Sequence, residues 1–94
     1  MSEWPFQDSE NVATLTTKQI VEGRDPILAA YHYADDGMWQ FGSAAAFDEA
    51  DAAVVSLRYV FDIDPSIAEL ADLPFGWEAS RRAPGQPWLR EPSE

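Results

Sequence analysis

The clearest strand signal lies in residues 27–33, Ile-Leu-Ala-Ala-Tyr-His-Tyr, which turn at Asp35-Asp36-Gly37 and return along residues 38–42, Met-Trp-Gln-Phe-Gly. Asp-Gly suits a hairpin because the turn needs backbone φ > 0, which glycine adopts freely and aspartate better than most residues. Side chains alternate faces with a period of two, so loop length decides which of them meet. With a two- or four-residue loop, Leu28, Ala30 and His32 share a face with Trp39 and Phe41. Ile27, Ala29, Tyr31 and Tyr33 then share the other face with Met38 and Gln40. A three-residue loop with a bulge swaps the second strand's faces. The first arrangement predicts one apolar face and one tyrosine-rich face, the pattern of a half-exposed sheet.

Upstream, Val12, Thr14 and Thr16 alternate with Ala13 and Leu15 and predict a first strand over residues 11–16. Thr16, with Gln19 three residues on, fits a capping box, and Gly23 fits the stop of a short helix carrying Ile20 and Val21. Asp48 is placed to cap a turn over residues 49–52, where the carboxylates sit near the positive helix end. Residues 54–57, Val-Val-Ser-Leu, predict a short apolar strand that residues 58–61 either extend or follow with a helical turn. Asp64-Pro65 marks a helix start, and Ile67, Leu70 and Ala71 give an amphipathic helix over residues 65–72. Residues 77–81 predict a last strand before a Pro/Gly-rich tail that retains Trp88.

Strands interspersed with short helices place the chain in the α+β class, as a small, mainly antiparallel sheet of four or five strands with two or three short helices. Residues 1–10 are expected to form a loose acidic arm, residues 11–90 a single domain and residues 91–94 a disordered tail. A chain of 94 residues has an expected radius of gyration of about 12 Å. Its 46% hydrophobic and 13% aromatic content is enough to build a core.

Charge narrows the partners. The formal net charge is −11, and between Asp25 and Glu78 the only basic residue is Arg58. That field repels phosphate backbones and attracts a basic protein, so no nucleic-acid partner is expected. The absence of cysteine excludes disulfides, thiolate nucleophiles and Cys-based zinc sites. No signal-peptide pattern occurs and no apolar run is long enough to span a bilayer, which gives an expectation of cytoplasmic localisation without membrane association.

Candidate chemistry is sparse. His32, the single histidine, could act as a general base only beside a hydroxyl or carboxylate such as Ser56 or Asp36, and no G-x-S-x-G pattern surrounds any serine. Asp35 and Asp36, or Asp62, Asp64 and Asp72, could offer hard oxygen ligands, but the EF-hand spacing is absent and turn and cap chemistry explains Asp35, Asp36 and Asp64. The glycines form no phosphate-cradling loop. Trp39, Phe41, Phe75, Trp77 and Trp88 are core material unless some lie exposed beside Arg81 and Arg82, where they would make interface anchors. Arg81, Arg82 and Arg90 are expected to bridge the acidic body, the alternative being a bidentate grip on an anion.

The stretches Asp35-Asp36-Gly37-Met38-Trp39-Gln40-Phe41 and Leu73-Pro74-Phe75-Gly76-Trp77, with Asp64-Pro65-Ser66-Ile67-Ala68-Glu69-Leu70 between them, resemble a family of short bacterial proteins of unknown function. The resemblance runs from Val12 to Arg90, and such proteins are similar to others loosely grouped with immunity proteins of bacterial toxin systems. It implies no activity, cofactor or catalytic residue. Where relatives tend to carry a further acidic residue, this chain has Ala34, which weakens a metal role at the hairpin tip.

These readings lead to a non-enzymatic, protein-binding module, immunity-like, that docks on a basic protein as a monomer or weak dimer. The expected contact residues are Asp35, Asp36, Trp39, Phe41, Trp77, Arg81 and Arg82, with Asp48, Glu49 and Asp51 adding to the acidic surface. No catalytic residue, metal or cofactor is expected. The rival readings are a small enzyme or ligand-binding domain using His32 with nearby carboxylates, and a homodimeric structural protein.

Overall fold

The computed structural model describes residues 4–45 and 47–93. The ends of the expected arm and tail, residues 1–3 and 94, lie outside the described residues. Within them the chain runs β1 (Ala13–Thr17), α1 (Lys18–Val21), β2 (Ala29–His32), β3 (Trp39–Gly42), β4 (Ala52–Ser56), α2 (Leu57–Ile63), β5 (Trp77–Ser80) and β6 (Leu89–Pro92). Two 3₁₀ segments, Glu49–Asp51 and Pro65–Leu70, complete it. The radius of gyration is 12.2 Å.

The strands form one six-stranded sheet in the order β4-β1-β3-β2-β5-β6. β1 and β3 are parallel, and every other neighbouring pair is antiparallel. The α+β class holds, but the expected four or five mainly antiparallel strands become six in a mixed sheet. The additional strand, β6, lies in the stretch from Leu89 to Pro92, whose charge and proline carry no strand signal. It exists because its register on β5, from Ser80↔Leu89 to Trp77↔Pro92, satisfies an otherwise open edge. As an edge strand it tolerates Pro92.

Helix starts follow local capping chemistry. Thr17, Asp48, Ser56 and Asp64 each accept a hydrogen bond from a backbone N–H in the turn that follows, at Ile20, Ala50, Tyr59 and Ser66. The first cap is thus Thr17 rather than Thr16. Residues 58–61 belong to α2, and the segment after Asp64-Pro65 winds as a 3₁₀ rather than an α-helix.

The hairpin joining β2 and β3 closes through four residues. Tyr33 N–H donates to Met38 O and Gly37 N–H donates to Tyr33 O, both at 3.0 Å. Gly37 takes φ +72°, and Asp36 Oδ1 accepts from Met38 N–H at 2.9 Å. The register pairs Ala30 with Phe41 and His32 with Trp39, as a four-residue loop requires.

From that register the two faces follow. Thr14, Thr16, Ala30, His32, Trp39, Phe41 and Ala79 are buried beneath Ile20 of α1, Leu57 and Val60 of α2, and Ile67 and Leu70 of the second 3₁₀ segment. The opposite face, turned away from that core, carries the cross-strand row Val54, Leu15, Gln40, Tyr31, Glu78 and Glu91.

The N-terminal arm is not loose over its described residues. Phe6 is only 5% exposed and meets Trp39 edge-on at 5.6 Å between ring centroids. Trp4 packs on Phe6 and on Phe61, each at 5.4 Å, and its indole N–H donates to Asp8 O. Burial of two large aromatics outweighs the acidic, polar composition of the arm. The expected disorder of the tail is likewise corrected as far as Pro92, which belongs to β6.

Candidate functional site

On the face turned away from the core, a second cross-strand row is built from small residues. Thr17 of β1, Gly42 of β3 and Ala29 of β2 leave the sheet shallow there, and Tyr31, Tyr33 and Gln40 rise beside it. The segment that follows β3, including Ser43 and Phe47, borders the other side. Together they enclose a cavity of about 470 Å³.

The walls are aromatic and polar. Tyr31 and Tyr33 stack with ring centroids 6.3 Å apart and planes inclined by 16°. The Tyr33 hydroxyl donates to Oε1 of the buried Gln40 across the β2–β3 pair. Burial first, then the fields of Tyr31, Asp36 and Glu78, raises the Tyr33 phenol above its ordinary pKa.

Carboxylates supply the rim: Asp25 from the turn after α1, and Asp48 and Asp51 from the first 3₁₀ segment and its cap. Asp48 uses one oxygen to cap Ala50 N–H. Asp51 lies 3.5 Å from the exposed Lys18 ammonium. Gln19, also on the wall, has a buried Oε1 with no hydrogen-bond donor among the described residues. The site is therefore rich in acceptors and in ring faces, a combination that attracts cations.

The residues singled out by sequence divide sharply. Asp35 and Asp36 are exposed at the hairpin tip. Trp39 and Phe41 are buried on the helix-covered face, so they are core residues and cannot anchor a partner; the hairpin register turns them inward. Trp77 is half-buried on that same face. Arg82 is exposed, with no ion pair among the described residues.

Arg81 is buried and fully engaged. Its guanidinium donates to Asp64 Oδ2 at 2.6 Å, to Ile27 O at 2.9 and 3.1 Å, and to Ser66 Oγ at 2.9 Å. Its Cζ sits 4.2 Å from the centre of the Trp88 ring. This arginine ties the second 3₁₀ segment to the non-strand segment just before β2, in keeping with the bridging role. Arg90 pairs with Asp72 at 2.7 Å and holds that carboxyl below the usual carboxylate range through the hydrogen bond first and the charge second.

His32 stacks on Trp39 with centroids 3.9 Å apart and lies against Phe75 at 4.6 Å. Its Nδ1 donates to Leu73 O at 2.7 Å, and Nε2 is buried without a partner among the described residues. A hollow of about 210 Å³ lies beside it, lined in part by Asp8, Asp72 and Phe75. Among the described residues no hydroxyl or carboxylate hydrogen-bonds the imidazole. Among the described residues no group of His, Asp and Glu side chains is arranged to hold a metal ion. No described helix is long and apolar enough to cross a membrane.

Sequence reasoning thus placed Gln40 on the tyrosine-rich hairpin face and named the acids Asp48 and Asp51, but did not give Asp25 or Phe47 as their neighbours. The small residue Gly42 directly after Trp39-Gln40-Phe41 was the available signal for a depression. No family model, curated protein or solved structure matches the chain.

Proposed function

We propose that this chain is a non-enzymatic, protein-binding module that receives a basic partner on the sheet face turned away from its core. The observation that carries the reading is the acid-rimmed, tyrosine-walled cavity on the sheet face opposite the core. A net charge of −11 draws a basic protein toward that face, and the exposed Asp35 and Asp36 at the hairpin tip strengthen the approach field. Val54, which is 66% exposed, and the half-buried Leu15 supply apolar contact area beyond the rim. The resemblance to immunity-like proteins agrees with such a role, in which a small acidic protein neutralises a basic one.

The test is affinity capture from host lysate with the native chain and with an Asp25→Lys, Asp51→Lys double variant, followed by association kinetics on the recovered protein. The expected result is a basic protein whose association slows in the double variant and loses much of its salt dependence. Equal association rates and equal salt dependence for the two chains refute docking through this face.

A further inference from the structure

We infer that the cavity on the open face is the seat of a single arginine side chain carried by the basic partner. The inference rests on the docking reading above and specifies the chemistry at its centre.

The floor is empty because of side-chain size. A Cβ built at Gly42 meets nothing within 4 Å, and Ala29 and Thr17 flank it. The hollow over the strands is thus a consequence of small side chains, and its volume of about 470 Å³ exceeds that of one long side chain. Its wall presents the near-parallel rings of Tyr31 and Tyr33. Ring faces attract cations, and a planar guanidinium gains stacking that a compact ammonium does not.

The polar groups select in the same direction. A carboxylate only accepts hydrogen bonds, and a guanidinium only donates them. Asp25 forms no ion pair among the described residues. The only cation within 4 Å of the rim carboxylates among the described residues is Lys18, at Asp51, with both side chains partly in water. Asp25 comes from one segment and Asp48 and Asp51 from another, with Tyr31 and Tyr33 lining the same cavity, and such a set of acceptors suits a forked donor better than a point charge. A partner-borne arginine also brings backbone and neighbouring side chains onto exposed Val54, which a free small cation would leave unused.

The experiment titrates ¹⁵N-labelled protein at low salt with N-acetyl-arginine methylamide, its neutral citrulline isostere, the lysine analogue and spermine. Saturable shifts confined to the amides of Tyr31, Tyr33, Gly42 and Asp48 are expected with the arginine probe, and none with citrulline. Affinity should fall about tenfold in Asp25→Asn, the loss of one charge-assisted contact. Gly42→Val should abolish the shifts by filling the floor, and its undisturbed spectrum elsewhere reports that the fold survives. Should that variant unfold, Asp25→Asn and the probe series decide alone.

Equal binding of arginine and citrulline overturns the inference, as does tighter binding of spermine or of the lysine analogue. A captured basic protein that binds native chain and Gly42→Val equally also overturns it, while leaving docking on the open face intact. Arginine-specific shifts without any captured partner support the pocket chemistry and count against the docking reading alone.

Discussion

The sheet's helix-covered face buries Thr14 and Thr16 beside Trp39, Phe41 and Ala30, whereas its opposite face displays Leu15, Val54 and Tyr31. Over β1 this is the reverse of the usual apolar-in, polar-out alternation. The inward threonines are made tolerable in part by Thr14 Oγ1, which donates to Val55 O at 2.9 Å. The outward leucine and valine gain nothing from the core. One face of this sheet is therefore organised around the core, while on the other Leu15 of β1 and Val54 of β4 lie outside it.

Substitutions on the covered face should show the largest effects. Trp39→Ala removes a ring that touches Phe6, Phe41 and His32, and should cost about 3–5 kcal/mol in chemical denaturation. A loss below about 1 kcal/mol would mean that the core is not centred there. Arg81→Met leaves Asp64 and Ile27 O without their donor, for an expected loss of about 2–3 kcal/mol, less than for a fully buried pair because Asp64 keeps some water. A stability gain in that variant would show that the ion pair serves specificity rather than stability.

The open face should behave oppositely. Val54→Thr and Asp25→Asn should each change stability by no more than about 0.5 kcal/mol. Binding of the basic partner should nevertheless weaken in both. If either variant unfolds the chain while leaving binding intact, the division of labour between the faces collapses.

Titration separates the faces by the smallest effects. The raised Tyr33 pKa means that the folded chain holds the phenol proton more tightly than the unfolded chain does. Its contribution is complete below the ordinary phenol value of about 10 and is lost as pH rises through the raised one. Absorbance titration should show this late phenol, and a cation seated in the cavity should draw it back toward the ordinary value. Asp72 runs the other way: its lowered pKa gives a contribution present above the usual carboxylate range and lost as pH falls through the depressed value. Because Asp72 lies largely in water and Arg90 partly so, Arg90→Gln should alter acid stability only slightly and more so at low salt. An acid-stability change that ignores salt would place the effect elsewhere.

Much of the local structure was legible in the sequence because its causes are local. Asp36-Gly37 fixes the hairpin turn, and the turn's length fixes that Ala30 and His32 meet Phe41 and Trp39. Asp48 and Asp64-Pro65 mark helical starts that need only the next few backbone N–H groups. The tyrosine-rich face of that hairpin, half of the candidate site, follows from the same period of two.

The remainder depended on contacts distant in sequence. Nothing in Trp4-Pro5-Phe6 announces that its rings will pack on Phe61 and Trp39, and nothing in Leu89-Arg90-Glu91-Pro92 announces a strand. Alternation within β1 states that Thr14 and Leu15 point to opposite faces, but not which face the helices will cover. That choice was made when β1 paired in parallel with β3 and antiparallel with β4, forty-odd residues away in the case of Thr14 and Val55. Turns, caps and face alternation were set by local sequence, since each is settled among neighbours. Strand order, the choice of buried face and the meeting of Asp25, Tyr31 and Gly42 at one cavity arose from long-range packing, because long-range pairing wins by the total area and hydrogen bonding it satisfies.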